Sequence, residues 1–134
     1  MIVDGRRDEL HPLMLRRLEV RANTLEEFLA AEAAVGRLRS RVEELFSRFD
    51  VLLCQTGPVP AHAHDLEELV VDGVSHPPRT VMRATIPFDL TGSPAISVPY
   101  AESGEGLPIG VQLVGRRFVE ETLLRVARDL EDAG

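Results

Sequence analysis

Serine, cysteine and histidine are the side chains of this 134-residue chain from which hydrolytic or metal chemistry could be built. Their spacing argues against each in turn. The six serines, Ser40, Ser47, Ser75, Ser93, Ser97 and Ser103, are scattered with no adjacent lysine, and no GSS or GGS string occurs. All 15 Lys+Arg residues are arginine. A guanidinium keeps its proton near neutral pH, so no side chain here can serve as the amine base that activates a serine hydroxyl. Cys54 is the single cysteine, and its neighbours Leu53 and Gln55 offer no positive charge to lower a thiol pKa; a buried strand cysteine is expected. His62 and His64 form a His-x-His pair whose imidazoles would point to one side of an extended segment, with Asp65 and His76 nearby. That spacing matches no tight zinc motif, and a solvated loop is the expectation. The residues therefore assign no catalytic group, no metal and no cofactor.

The elements that would position these groups are legible in part. Ala95 to Tyr100 and Ile109 to Leu113 are short Ile/Val-rich runs joined by a polar segment with two glycines and a proline, which predicts a β-hairpin with a solvated loop. Along the second run Ile109, Val111 and Leu113 alternate with Gly110, Gln112 and Val114, a pattern suited to a central strand packed closely on both sides. Residues 84–94, with Pro87 and Pro94, read as a buried loop beneath that sheet. Asp50 to Thr56 is an apolar run ended by Gly57-Pro58-Val59-Pro60, a first strand. Residues 57–83 carry four prolines and two glycines, and read as a long loop with at most a helical turn near Asp65 to Val71.

The N-terminal half reads as helical. After a flexible start over residues 1–7, His11-Pro12 opens a short helix ending near Val20. Thr24 and Glu27 have the spacing of a capping box. From there Leu25, Phe28, Val35, Leu38, Val42, Leu45, Phe46 and Phe49 form one stripe of a helix of roughly 25 residues, about 37 Å long. Gly36 weakens it by about 1 kcal/mol relative to Ala. The stripe fits packing against a sheet better than a coiled-coil seam. Phe118 to Asp132 is a last amphipathic helix, with acids in its first turn and arginines later. The fold class is therefore α/β: a short mixed sheet of about three strands, including a C-terminal β-hairpin, packed with a long helix and a C-terminal helix. Residues 8–134 are expected to form a single α/β domain.

Two strings carry a family resemblance: Thr85-Ile86-Pro87-Phe88-Asp89-Leu90-Thr91-Gly92-Ser93-Pro94-Ala95-Ile96-Ser97-Val98-Pro99, then Gly106-Leu107-Pro108-Ile109-Gly110-Val111-Gln112-Leu113-Val114-Gly115. Together they resemble the C-terminal end of amidase-signature enzymes, which include bacterial amidases and the A subunit of the glutamyl-tRNA(Gln) amidotransferase. Leu10-His11-Pro12, Phe49-Asp50-Val51-Leu52-Leu53 and Phe118-Val119-Glu120-Glu121-Thr122-Leu123-Leu124 fit the same region, so the likeness covers roughly residues 8–131. The resemblance implies a fragment of the amidase-signature fold and carboxamide C–N hydrolysis by two serines and a lysine, from a segment lying well before this region. Those catalytic residues have no counterpart here. It also implies pocket-lining roles for Thr85, Pro87, Phe88, Asp89 and Thr91. The bland alternative is that Asp89 and Thr91 make turn hydrogen bonds while the prolines fix the path of the loop. The position that offers an acid to glutamine in the tRNA amidotransferase corresponds to Met82, which argues against a glutamine-specific pocket. Gln55-Thr56-Gly57-Pro58 departs from the Thr-Pro-Thr-like turn usual in relatives.

Composition sets the outer bounds. The chain is long enough to bury about two-thirds of its unfolded surface around one core. Its apolar and charged fractions, 44% and 28%, are those of a globular protein, and a net charge of −7 leaves no basic stripe for nucleic acid. Arg37, Arg39, Arg41 and Arg48 alternate with Glu43 and Glu44 and read as a solvated mixed-charge face. No apolar run approaches a membrane span, and the N-terminal residues are too polar for a signal sequence, so a cytoplasmic location is expected. A fragment of a larger sheet leaves an edge and an apolar face to be covered. The expected partners are therefore a homo-oligomer or a complementing N-terminal amidase polypeptide. Three functions follow: the C-terminal portion of an amidase-type hydrolase, inactive alone; a non-catalytic dimerisation or protein-interaction module; or an independent enzyme using Cys54 or a metal at His62, His64 and His76.

Overall fold

A computed structural model describes residues 5–18 and 23–133 of the chain. The expected helix end near Val20 and the first four residues of the expected flexible start lie outside the described residues. By its internal contacts the chain forms two compact units, residues 1–33 and 34–134.

In the first unit a 3-10 turn spans Arg7–Glu9, followed by α1 (Pro12–Leu18). The helix α2 (Leu25–Phe46) begins in this unit and continues into the second; its 22 residues span about 33 Å. Its start is the capping box expected from the sequence. The Glu27 amide donates to the Thr24 hydroxyl at 3.1 Å, and the Thr24 amide donates to the Glu27 carboxylate at 2.7 Å.

The second unit is built on a three-stranded sheet of β1 (Val51–Gln55), β4 (Ala95–Glu102) and β5 (Pro108–Gly115), in the order β1-β5-β4. The α/β class and the terminal hairpin are as expected, and β5 is the central strand. Both ladders are antiparallel, so no mixed pairing arises within these residues. One face carries Val98 and Leu113, on which α4 (Glu120–Ala133) lays Leu123 and Ala127. Val51, Ile96, Val111, Val126 and Leu130 pack around them. Gly115 lets α4 approach: a Cβ there would stand 2.7 Å from Val119 Cγ2.

Two stretches expected to be irregular are ordered. Within the expected loop 57–83, β2 (Leu69–Val71) and β3 (Val74–His76) form an antiparallel hairpin. Its two-residue turn is Asp72-Gly73, with φ of 50° and 77°, as a type I′ turn demands. A seven-residue 3-10 helix, Pro78–Ala84, then leads to α3 (Ile86–Thr91), where the sequence read as a loop. Pro87 in the first turn is pre-set for a helical φ, and Gly92 adopts φ 69° to stop the helix. The Gly92 and Ser93 amides close back on the Asp89 and Phe88 carbonyls, a Schellman end that hands the chain directly to β4. Among the described residues no helix is long and apolar enough to cross a membrane.

Candidate functional site

Opposite the α4 face, the register of β5 brings polar groups from three strands together. Cys54 pairs with Gln112 across β1 and β5, and Ser97 pairs with Gln112 across β4 and β5. Gln112 is 3% exposed. Its amide nitrogen donates to the Gln55 carbonyl at 3.0 Å and to the Ala84 carbonyl at 2.9 Å. One buried side chain thus ties the end of β1 to the end of the 3-10 helix that delivers Thr85 and α3. Because an unsatisfied buried carbonyl costs about 1–3 kcal/mol, this double donation holds both backbone segments in place.

A groove of about 610 Å³ opens beside this tie, in the size range of small-molecule sites. Its lining includes Thr56, Pro58, Ser97, Pro99, Pro108 and Gly110, and none of the residues that line it is charged. The Thr56 and Ser97 hydroxyls hydrogen-bond to each other at 2.8 Å. They meet across β5 because Gly110 lies between them: a Cβ there would sit 3.1 Å from Ser97 Oγ and 3.5 Å from Thr56 Oγ1. The floor is therefore a hydroxyl pair over bare backbone, able to donate to and accept from a neutral polar group. Neither hydroxyl has a neighbouring base, so the arrangement suits binding rather than nucleophilic attack.

The five residues expected to line a pocket are distributed along α3. Thr85 stands just before its first residue and makes no side-chain capping bond; its hydroxyl donates back to the Met82 carbonyl at 3.1 Å. Pro87 and Phe88 are half-buried, and Asp89 is exposed. Thr91 is buried at the other end, where its hydroxyl donates to the Phe88 carbonyl at 3.2 Å and meets Ser93 Oγ at 2.9 Å. Thr91 lines a separate cleft with Arg39, Glu43, Ser93, Arg116 and Arg117. Sequence reasoning missed this cleft. Arg117 donates from Nε and Nη2 to the Thr91 carbonyl at 3.2 and 2.6 Å, and Arg39 Nη2 donates to the Leu90 carbonyl at 3.2 Å. Two cations thus sit on the last carbonyls of α3, where the helix dipole favours them.

The remaining candidates stay apart. Cys54 is half-buried in β1, and burial pushes its thiol pKa up, partly offset by a hydrogen bond with Gln112. His62 and His64 are exposed ahead of β2, with His62 Nδ1 2.9 Å from the Ala63 carbonyl, and His76 lies in β3 opposite Leu69. Among the described residues no three His, Cys, Asp or Glu side chains are grouped to hold a metal ion.

Fold and site define an α/β layer with α4 on one face of its antiparallel sheet and, on the other, an uncharged groove around the Thr56–Ser97 hydroxyl pair. The Amidase family model matches residues 1–124, and the chain belongs to that family. It is 42% identical over 106 residues to the A subunit of the glutamyl-tRNA(Gln) amidotransferase of Parvibaculum lavamentivorans, covering 79% of this chain and 21% of that protein. It is 37% identical over 110 residues to a fatty acid amide hydrolase of Medicago truncatula, covering 81% and 18%. A crystal structure of an amidase superposes over 98% of this chain and 30% of its own, with a TM-score of 0.83 at 26% identity. The chain thus spans about a fifth of the length of the first two relatives.

Proposed function

We propose that this chain serves as the C-terminal portion of an amidase-signature hydrolase of carboxamide C–N bonds and does not hydrolyse amides by itself. One pairing of facts carries the reading. The family match runs over residues 1–124 while the chain spans only 21% and 18% of two relatives, and its sequence holds no lysine and no serine cluster. Serine-serine-lysine chemistry would come from a complementing N-terminal amidase polypeptide in the cytoplasm. This chain's share would be pocket wall, from Thr85, Pro87, Phe88, Asp89 and Thr91. The Gln112 tie supports that role, because it fixes the point at which the backbone enters α3.

A second reading, a dimerisation or protein-interaction module, draws on the sheet edges. Among the described residues β1 and β4 pair only with β5, which leaves their outer edges unpaired, and Leu53 on β1 is 51% exposed. The two readings separate in one experiment. The purified chain is mixed with the N-terminal portion of an amidase-signature enzyme, and complex formation and carboxamide cleavage are followed together. Cleavage that appears only in the mixture supports the first reading. A stable homodimer that neither joins the mixture nor cleaves amide supports the second.

A further inference from the structure

The cleft beside α3 concentrates positive charge in a chain whose net charge is −7. Arg39 comes from α2 and Arg116 and Arg117 from the turn between β5 and α4; Glu43 is the one acid of the lining, so the local sum is three minus one, or +2. Among the described residues none of the three guanidiniums forms an ion pair, with Glu43 or with any other carboxylate, whereas Arg6 does pair with Glu9. Arg39 and Arg117 are instead anchored on neutral backbone carbonyls, and Arg116 makes no hydrogen bond among the described residues. All three residues are exposed, so a solute reaches them.

Anchoring matters for what the cleft can do. A carbonyl partner holds a guanidinium in position without cancelling its charge, and each anchored fork keeps N–H groups that point elsewhere. Three cations gathered in a cleft with a single acid repel one another, and an anion relieves that repulsion. Planar guanidinium forks match the paired oxygens of carboxylates and phosphates. The cleft's volume of about 200 Å³ accommodates such a group with several waters, at about 30 Å³ each, but not a nucleotide.

We propose that this cleft is a binding site for a small oxyanion, a phosphate or carboxylate group, held by Arg116 together with the anchored Arg39 and Arg117. The proposal calls for no hydrolytic residue and does not rest on the amidase reading, although Thr91, offered above as pocket wall, also lines this cleft. The test is a titration of the ¹⁵N-labelled whole chain with inorganic phosphate, and separately with succinate, at fixed ionic strength. Saturable amide shifts confined to residues 39–46, 90–93 and 115–118 are expected. Arg116→Ala should weaken binding at least about ten-fold while keeping the wild-type spectrum elsewhere. Arg79→Ala, a change outside the cleft, should leave affinity within about two-fold. Tighter binding of phosphate or of succinate identifies which oxyanion the site prefers. Shifts that rise linearly and spread over the surface, or equal losses in the two variants, would overturn the proposal.

Discussion

Two amphipathic helices of this chain meet opposite fates. In α4, Leu123 and Ala127 are 2% and 4% exposed against Val98 and Leu113. In the first turns of α2, Leu25, Phe28 and Leu29 remain 72%, 55% and 57% exposed, and the one buried residue of that helix is Phe46 at its far end. The two stripes have the same 3.6-residue period in sequence. Periodicity specifies a helix and a face, while burial depends on what surface is present to cover that face. For a chain spanning about a fifth of its curated relatives, an exposed stripe is what a missing neighbour would leave.

The contrast is sharpest in paired truncations. Leu123→Ala should cost about 2–5 kcal/mol in urea unfolding, because it removes buried methyl groups and leaves a cavity. Phe28→Ala should cost less than about 1 kcal/mol, since Phe28 is 55% exposed. Equal losses at the two sites would break the comparison. Gln112→Leu should follow at about 2–4 kcal/mol, because the Gln55 and Ala84 carbonyls both lose their donor. The accompanying loss of amide protection should extend from the end of β1 to α3, as read by hydrogen exchange.

Smaller effects probe the same division. Gly36→Ala should stabilise by up to about 1 kcal/mol in thermal unfolding, since a Cβ at that point in α2 meets nothing within 4 Å. Cys54 should react slowly with a neutral disulfide reagent at pH 7. Burial raises its pKa, so the protonated thiol dominates there and the rate should climb through the alkaline range without an inflection near neutrality. A fast reaction with an inflection below pH 7 would mean that a positive partner activates the thiolate.

How far the sequence revealed this architecture depended on where each determinant lies. The α2 capping box, the central β5 strand and α4 were readable because their signals are local: Thr24 with Glu27, the alternation 109–114, and the stripe 123–130. The β2–β3 hairpin also has a local signal, Asp72-Gly73 between Val-rich residues, but the surrounding prolines outweighed it. Helix α3 was missed for a different reason. It is only six residues long, and two of its final carbonyls are capped by Arg39 and Arg117, 51 and 26 residues away in sequence. Long-range closure also explains the site: the Thr56–Ser97 pair spans 41 residues and rests on Gly110, so no single window contains it.

We propose that this chain, a member of the Amidase family, does not hydrolyse carboxamides by itself. The most direct test is hydrolysis of a simple carboxamide by the purified chain alone, followed by ammonia release. No release above the buffer rate is predicted at any protein concentration. Release proportional to protein, persisting through successive purification steps, would contradict the account.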